Sequence, residues 1–243
     1  MTKHRPAHRP KAILFDLDDT LISTHMSPRQ VWRDTIEPIL TAETSEALDD
    51  IAEAIVRSAK QFWSDPERHK VGRMDLIAAR KTIVADALHG WAFFSDDVIS
   101  ALAHGHATMQ HDRTALYPDA IETLTALRDE GVALALVTNG AAPIQRRKVE
   151  RFALAPRFDH IQIEGEAGVG KPEPAAYRKA LSALRAEPEE TWMVGDNLEW
   201  EVAAPQRLGI HGIWRDPAGI GELPDTHIKP DRVISRLLEL VEA

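Results

Sequence analysis

Three aspartates lie within four positions, directly after a short apolar run near the start of the sequence. The run is Ala12 to Phe15, and the acids are Asp16, Asp18 and Asp19. Like charges at this spacing repel one another, and removing carboxylates from water is costly. Either a cation offsets that cost or the acids are exposed. Proteins use carboxylates as nucleophiles, as acids and bases, and as ligands of hard cations.

Other polar residues follow later apolar runs in the same way. They are Thr138 to Gly140 in TNG, Lys171 in GKPEP, and Gly195 to Asn197 in GDN. In open parallel sheets, ligands bind beyond the carboxyl ends of the strands. Taken singly, Thr138 could cap a helix and Lys171 could lie on the surface. Together, these groups predict a site where acids, a hydroxyl, a lysine and glycines meet at one sheet edge.

Five apolar runs are predicted to be buried strands that position these groups. They are residues 12–15, 132–137, 160–163, 191–194 and 211–214, with a sixth strand near Asp231. Helical patterns lie between the later runs, including one over residues 201–209, and residues 215–231 are predicted to be a loop. Strands that alternate with helices form right-handed βαβ units. The predicted class is therefore α/β, with a Rossmann-like parallel sheet flanked by helices.

Residues 22–112 show helical periodicity and no strand signal. Ser45 is placed to cap one helix, whose apolar stripe consists of Leu48, Ile51, Ile55, Ala59 and Phe62. This block is predicted to be an all-helical cap domain inserted after the first strand. The predicted division is a mobile basic tail at residues 1–10, the α/β core at residues 11–21 and 113–243, and the cap at residues 22–112.

The predicted cap domain also contains several histidines and tryptophans. His89, His104, His106 and His111 show no convincing metal-ligand spacing, and we expect them on the polar surface. The core of the cap is expected to contain Trp32, Trp63 and Trp91.

Composition narrows the class of protein. The chain has 243 residues, of which 44% are hydrophobic, which is enough for a substantial core. A net charge of −9 argues against general nucleic-acid binding. The absence of cysteine excludes disulfides, thiolate nucleophiles and cysteine zinc sites, and fits a cytoplasmic location. We expect no secretory signal and no membrane helix.

The ordered set DLDDT, TNG, GKPEP and GDNLEWE resembles the four motifs of the haloacid dehalogenase-like hydrolase superfamily. The motifs begin at Asp16, Thr138, Gly170 and Gly195. The resemblance covers most of the predicted core, and the helical block lies where members with a helical cap place theirs.

The resemblance implies a distinct role for each acid of the first motif. Asp16 would attack phosphorus and become an aspartyl-phosphate. Asp18 would protonate the leaving oxygen and then activate water. The dehalogenase branch lacks an acid at this position, so Asp18 matches the phosphatases and phosphomutases. We expect Asp19 to be a solvated or helix-capping bystander.

The resemblance also implies a phosphate site and a magnesium site. The residues that match the phosphate-binding positions are Thr138, Asn139, Gly140 and Lys171. Mg²⁺ prefers oxygen ligands. The predicted ligands are the carboxylates of Asp16 and Asp196 and the backbone carbonyl of Asp18.

The sequence departs from the family pattern in the fourth motif. Glu201 stands where an aspartate is usual. Its side chain carries the same charge but is one methylene longer. Glu201 is therefore expected either to hold the metal indirectly, through water or through Lys171, or to mark a slightly rearranged site, and the role of Asn197 is left open.

The resulting prediction is a magnesium-dependent phosphatase of small phosphorylated metabolites, with no nucleic-acid or membrane partner. The main alternative is a phosphomutase of the same fold. Further alternatives are a phosphonate hydrolase, which would need a cap lysine, a dehalogenase, and a non-catalytic binding member. The sequence does not identify the substrate or the oligomeric state.

Overall fold

The structure, a computed structural model, describes residues 9–39, 47–91, 94–216 and 227–242. Most of the predicted N-terminal tail, the predicted cap residue Ser45 and most of the predicted loop at residues 215–231 lie outside the described residues. The chain divides into two compact units, one of residues 1–23 and 116–243 and the other of residues 24–115. Within the described ranges, no helix is both long enough and apolar enough to cross a membrane.

The first unit is built on a six-stranded parallel sheet. In chain order the strands are β1 (Ala12–Phe15), β2 (Ile22–Ser23), β3 (Ala115–Leu116), β4 (Ala133–Thr138), β5 (His160–Ile163), β6 (Thr191–Gly195), β7 (His211–Arg215) and β8 (Arg232–Ile234). The large sheet has the order β5-β4-β1-β6-β7-β8, and β2 pairs with β3 in a small separate sheet. Every neighbouring pair in the large sheet is parallel, which confirms the predicted α/β class.

Ten helices are described. They are α1 (Pro28–Ile36), α2 (Leu48–Ser64), α3 (Pro66–Gly72), α4 (Leu76–Leu88), α5 (Asp96–Arg113), α6 (Ala120–Asp129), α7 (Ala142–Arg151), α8 (Glu164–Ala167), α9 (Pro174–Leu184) and α10 (Ala204–Gln206). The helix predicted over residues 201–209 is wrong in extent. A π-helical segment, Leu198–Ala203, precedes the short α10. It begins early because the Asn197 side chain accepts the amide hydrogens of Glu199 and Trp200.

The core of the first unit lies on both faces of the sheet. Along β1, Ile13 and Phe15 belong to one apolar cluster, whereas Leu14 belongs to another. This is the alternation expected of a strand, in which successive side chains point to opposite faces. Because both faces of the sheet are covered, the sequence of β1 is continuously apolar. Asp16 follows directly at the carboxyl end of this strand.

The described helices of the second unit, α1 to α5, have their own core. Trp32 is part of its buried cluster, and Trp63 and Trp91 pack against that cluster as predicted. The prediction of a surface position is wrong for His106, which is buried and stacks on Trp32 with 3.8 Å between ring centroids. Burial, together with the nearby Arg80, lowers the pKa of His106 to about 3. A neutral imidazole can be buried at little cost, and its Nδ1 accepts a hydrogen bond from Arg80.

Candidate active site

The turn after β1 fixes the first aspartate at the carboxyl edge of the sheet. The backbone amide of Asp16 donates to the Val194 carbonyl at 3.0 Å, which continues the pairing of β1 with β6. The Thr20 hydroxyl donates to the buried Asp16 carboxylate at 3.2 Å. Asp19 has a φ of 55°, in the left-handed region that short polar side chains tolerate, so the chain turns sharply here. The Asp16 carboxylate is thus held by the sheet and by its own turn.

Lys171 lies fully buried between two carboxylates. Its Nζ is 2.5 Å from Asp16 Oδ1 and 2.8 Å from Glu201 Oε1. Burial acts to lower the pKa of Lys171, but Asp16 and Glu201 outweigh it and raise that pKa above its ordinary value. Burial also raises the pKa of Asp16, and Lys171 offsets part of that effect. Lys171 therefore stays charged beside Asp16.

Asn139 holds the backbone of Lys171 in place. The Asn139 amide donates to the Lys171 carbonyl at 2.7 Å and accepts from the Lys171 amide at 2.8 Å. A Cβ on the neighbouring Gly170 would lie 2.5 Å from the Glu164 carboxyl carbon, so a larger residue there would displace the Glu164 side chain. Glu164 in turn accepts the Gly140 amide at 2.9 Å. Of the two amides predicted to bind phosphate, that of Gly140 is therefore engaged within the protein in this structure.

Glu201 lies against Lys171 from the opposite side. Its Oε2 accepts the Asn197 amide at 2.8 Å, while Oε1 faces Lys171. A Cβ on Gly195 would lie 2.1 Å from Glu201 Cγ, so the glycine makes room for this side chain. Burial raises the pKa of Glu201 to about 7, and Lys171 offsets part of that rise. Glu201 is therefore in direct contact with Lys171 in this structure.

Asp196 follows β6 and completes a group of acids beside Asp16. Burial raises the pKa of Asp196 well above its ordinary value, and the charges of Glu201 and Asp16 raise it further. Among the described residues, no group of three or more His, Cys, Asp or Glu side chains is arranged to hold a metal ion. Two mutually repelling carboxylates nevertheless form a donor set that suits Mg²⁺, which takes oxygen ligands and keeps several waters.

Asp18 lies on the other side of the site and contacts α7. Lys148 Nζ lies 2.6 and 2.9 Å from its two carboxylate oxygens, and Gln145 Nε2 lies 2.9 Å from Oδ2. Partial burial acts to raise the pKa of Asp18, but Lys148 and Gln145 outweigh it and hold that pKa below its ordinary value. Gln145 also donates to the Thr138 hydroxyl at 2.7 Å. One chain of contacts therefore connects the TNG segment to Asp18.

The sequence matches the model of a known protein family. The model of the haloacid dehalogenase-like hydrolases matches residues 10–209. The chain belongs to the haloacid dehalogenase-like hydrolase family. The predicted resemblance and the predicted hydrolase class are thereby confirmed.

Several named relatives are similar to this chain over almost their whole length. The phosphoserine phosphatase of Thermus thermophilus is 32% identical, covering 95% of this chain and 97% of that protein. The glyceraldehyde 3-phosphate phosphatase of Pyrococcus furiosus is 29% identical, covering 96% of this chain and 92% of that protein.

Solved structures of the hydrolase family share the fold. The Bacillus subtilis hydrolase YfnB bound to magnesium has a TM-score of 0.72 at 21% identity, covering 97% of this chain and 98% of that chain. The 2-haloacid dehalogenase of Pseudomonas syringae has a TM-score of 0.60 at 25% identity, covering 96% and 97%. A named dehalogenase shares the fold of this chain, and named phosphatases are similar to it in sequence, so the fold alone does not select between these two activities.

The structure shows four further residues at the site for which the motifs predicted no role. They are Thr20, Gln145, Lys148 and Glu164. Thr20 ends the DLDDT motif, so its proximity to Asp16 could have been inferred from position. Gln145 and Lys148 are three residues apart on α7, a spacing that places both on one helix face. That spacing could have marked the pair, but nothing in the sequence connects it to Asp18.

Proposed function

We propose that this hydrolase is a magnesium-dependent phosphatase that acts on small phosphorylated metabolites through an aspartyl-phosphate. The observation that carries the proposal is the Asp16 carboxylate, which is held at the sheet edge between Lys171 at 2.5 Å and the Thr20 hydroxyl at 3.2 Å. A nucleophilic carboxylate needs a fixed position and must stay ionised. The buried ammonium of Lys171 favours the ionised form of Asp16.

In the first step, an oxygen of Asp16 forms a bond to phosphorus. The bond between phosphorus and the leaving oxygen breaks, and its electron pair stays on that oxygen. Asp18 gives a proton to the leaving oxygen, which departs as an alcohol. The negative charge of an arriving phosphoryl group favours the protonated form of Asp18 and so opposes the effect of Lys148.

In the second step, water attacks phosphorus and the bond to Asp16 breaks. Asp18 takes a proton from the water, so inorganic phosphate is released and both carboxyl groups return to their starting states. The Thr138 hydroxyl and the Lys171 ammonium stabilise the charge on the phosphoryl oxygens in both steps. Catalysis of this kind rests mainly on positioning and electrostatic stabilisation.

Magnesium fits the acid group beside Asp16. The Asp16 and Asp196 carboxylates and the Asp18 carbonyl would hold the ion, which would reduce the repulsion between Asp16 and a phosphoryl group. The raised pKa of Asp196 supports this assignment, because it arises in part from neighbouring carboxylates that a cation would neutralise.

The named relatives support phosphate monoesters as the substrate class. The similar proteins include phosphatases of phosphoserine and of glyceraldehyde 3-phosphate. Asp18 supports the same choice, since a halide leaving group needs no proton whereas an alcohol does. The substrate class is therefore a small phosphorylated metabolite.

The proposal is tested by replacing the nucleophile. Asp16→Asn keeps the size of the side chain but removes its nucleophilic charge. We expect turnover of p-nitrophenyl phosphate, measured with magnesium present, to fall to background. Retention of activity near the wild-type level in this variant would exclude the proposed mechanism.

A further inference from the structure

Gln145 occupies the point where the phosphate-binding segment meets Asp18. It is buried on α7, and its side-chain nitrogen lies 2.9 Å from Asp18 Oδ2, 2.7 Å from Thr138 Oγ1 and 2.7 Å from the Asn139 carbonyl oxygen. These three acceptors come from two motifs that are more than a hundred residues apart in sequence. A single side chain therefore connects the two halves of the reaction site.

The chemistry of the neighbours fixes which end of the amide faces them. An ionised carboxylate and a backbone carbonyl can only accept hydrogen bonds, so the NH₂ end of Gln145 must point toward Asp18 and Asn139. The other end, Oε1, is buried and has no hydrogen-bond partner among the described residues. An unpaired buried carbonyl is unfavourable. The hydrogen bonds that hold the Gln145 side chain are therefore those made by its NH₂ group.

This orientation determines how the Thr138 hydroxyl can act. Gln145 Nε2 carries only two hydrogens for its three acceptors, so at least one hydrogen is shared between two of them. Because an amide nitrogen does not accept hydrogen bonds, the Thr138 hydroxyl hydrogen cannot point to Gln145 Nε2 and points elsewhere. The Asn139 carbonyl, at 3.5 Å, is too distant to hold that hydrogen well. The hydroxyl hydrogen is thus available to a phosphoryl oxygen.

We propose that Gln145 is a positioning residue that directs the Thr138 hydroxyl to donate to the phosphoryl group while it holds the Asp18 carboxylate. This inference rests on the phosphatase function proposed above. Lys148 provides a contrast, because within the described part of the chain it binds both carboxylate oxygens of Asp18 but makes no hydrogen bond to Thr138. The two residues therefore differ in which half of the site they support.

Three variants are compared with the wild type. Gln145→Met removes the hydrogen-bond donor at similar size, and Gln145→Glu replaces the donor with acceptors. Lys148→Met is the matched control. Orthophosphate affinity is measured by calorimetry with Mg²⁺ present. Steady-state kinetics use phenyl phosphate and p-nitrophenyl phosphate, whose leaving groups differ in their need for a proton, and melting temperatures report folding.

We expect Gln145→Met to weaken orthophosphate binding about tenfold, the usual effect of losing a well-placed hydrogen bond to a charged group. Gln145→Glu should weaken it at least as much, since its oxygens would draw the Thr138 hydrogen away from phosphate. Lys148→Met should leave orthophosphate affinity within about twofold, because it does not contact Thr138. Both Met variants should lower kcat more on phenyl phosphate than on p-nitrophenyl phosphate, since only the poorer leaving group depends strongly on Asp18.

Wild-type orthophosphate affinity in Gln145→Met would overturn the inference, and so would an equal loss of affinity in Lys148→Met. If Gln145→Met fails to fold, Gln145→Glu, which keeps the length and polarity of the side chain, decides by the same measurement. A wild type that binds orthophosphate but hydrolyses neither aryl phosphate would contradict the proposed function alone, and the affinities of the variants would still decide the role of Gln145.

Discussion

Two aspartate–lysine pairs flank the site, and they differ mainly in burial. In the first pair the side chains of Lys171 and Asp16 are 0% and 12% exposed, and the closest atoms are 2.5 Å apart. In the second pair the side chains of Lys148 and Asp18 are 23% and 45% exposed, and the closest atoms are 2.6 Å apart. Both members of the second pair are therefore more exposed, although the two acids are only two residues apart in sequence.

This difference in burial fixes the Asp16 carboxylate and leaves the Asp18 carboxylate free to move. A buried pair cannot exchange its partner for water, so Asp16 is fixed where it must attack. An exposed pair opens at little cost, because water replaces the lost partner. Asp18 can therefore leave Lys148 when it transfers a proton.

Removal of Lys171 should have the largest effect. Lys171→Met would leave the buried Asp16 and Glu201 carboxylates without the ammonium that compensates them. We expect the free energy of unfolding at neutral pH to fall by about 3–5 kcal/mol, as when one member of a buried ion pair is deleted. Turnover of p-nitrophenyl phosphate should fall to background, and chemical denaturation would measure the stability. A loss of stability below about 1 kcal/mol would show that the pair behaves as a surface pair.

A smaller effect is expected from the titration of Glu201. Its pKa in the folded protein is raised from 4.5 to about 7 by burial, with Lys171 offsetting part of the rise. The folded state therefore binds this proton more tightly than the unfolded state, and the contribution of Glu201 to stability falls as pH rises from about 4.5 to about 7. The difference should amount to at most about 3 kcal/mol.

The Glu201→Gln variant lacks this titration and serves as the control. We expect the melting temperature of the metal-free wild type to fall, relative to that of Glu201→Gln, across this pH interval. Parallel curves for the two proteins would mean that Glu201 is already ionised throughout and that Lys171 fully compensates its burial.

The smallest effect on stability should come from Lys148. Because both members of its pair are partly exposed, Lys148→Met should change the free energy of unfolding at neutral pH by less than about 1 kcal/mol. Chemical denaturation of this variant beside Lys171→Met makes the comparison direct. Losses of similar size in the two variants would remove the distinction between a fixed and a free acid.

The sheet and the strand-end residues could be predicted from the sequence because their signals are local. Apolar runs such as residues 132–137 mark strands buried on both faces, and parallel strands bring their carboxyl ends to one edge. The residues Asp16, Thr138, Lys171 and Asp196 could be assigned to one site on that basis, with the family motifs as support.

Contacts between distant side chains could not be predicted in this way. Lys148 meets Asp18 across 130 residues of sequence, and its place in the helix pattern gives no sign of that partner. The position of Glu201 against Lys171 likewise depends on the room left by Gly195, which is a property of the folded backbone. The burial of His106 depends on Trp32 and Arg80, which lie on two other helices.

The central claim is that Asp16 carries the phosphoryl group while Asp18 moves protons. Asp18→Asn should still allow Asp16 to attack an activated aryl phosphate, but it should slow the attack of water on the intermediate. The direct measurement is mass spectrometry of peptides from this variant after acid quenching of its reaction with p-nitrophenyl phosphate and magnesium. We expect one phosphoryl group on the peptide that contains Asp16, and none when Asp16→Asn is added. A phosphoryl group on another residue, or turnover without any phosphorylated peptide in this variant, would contradict it.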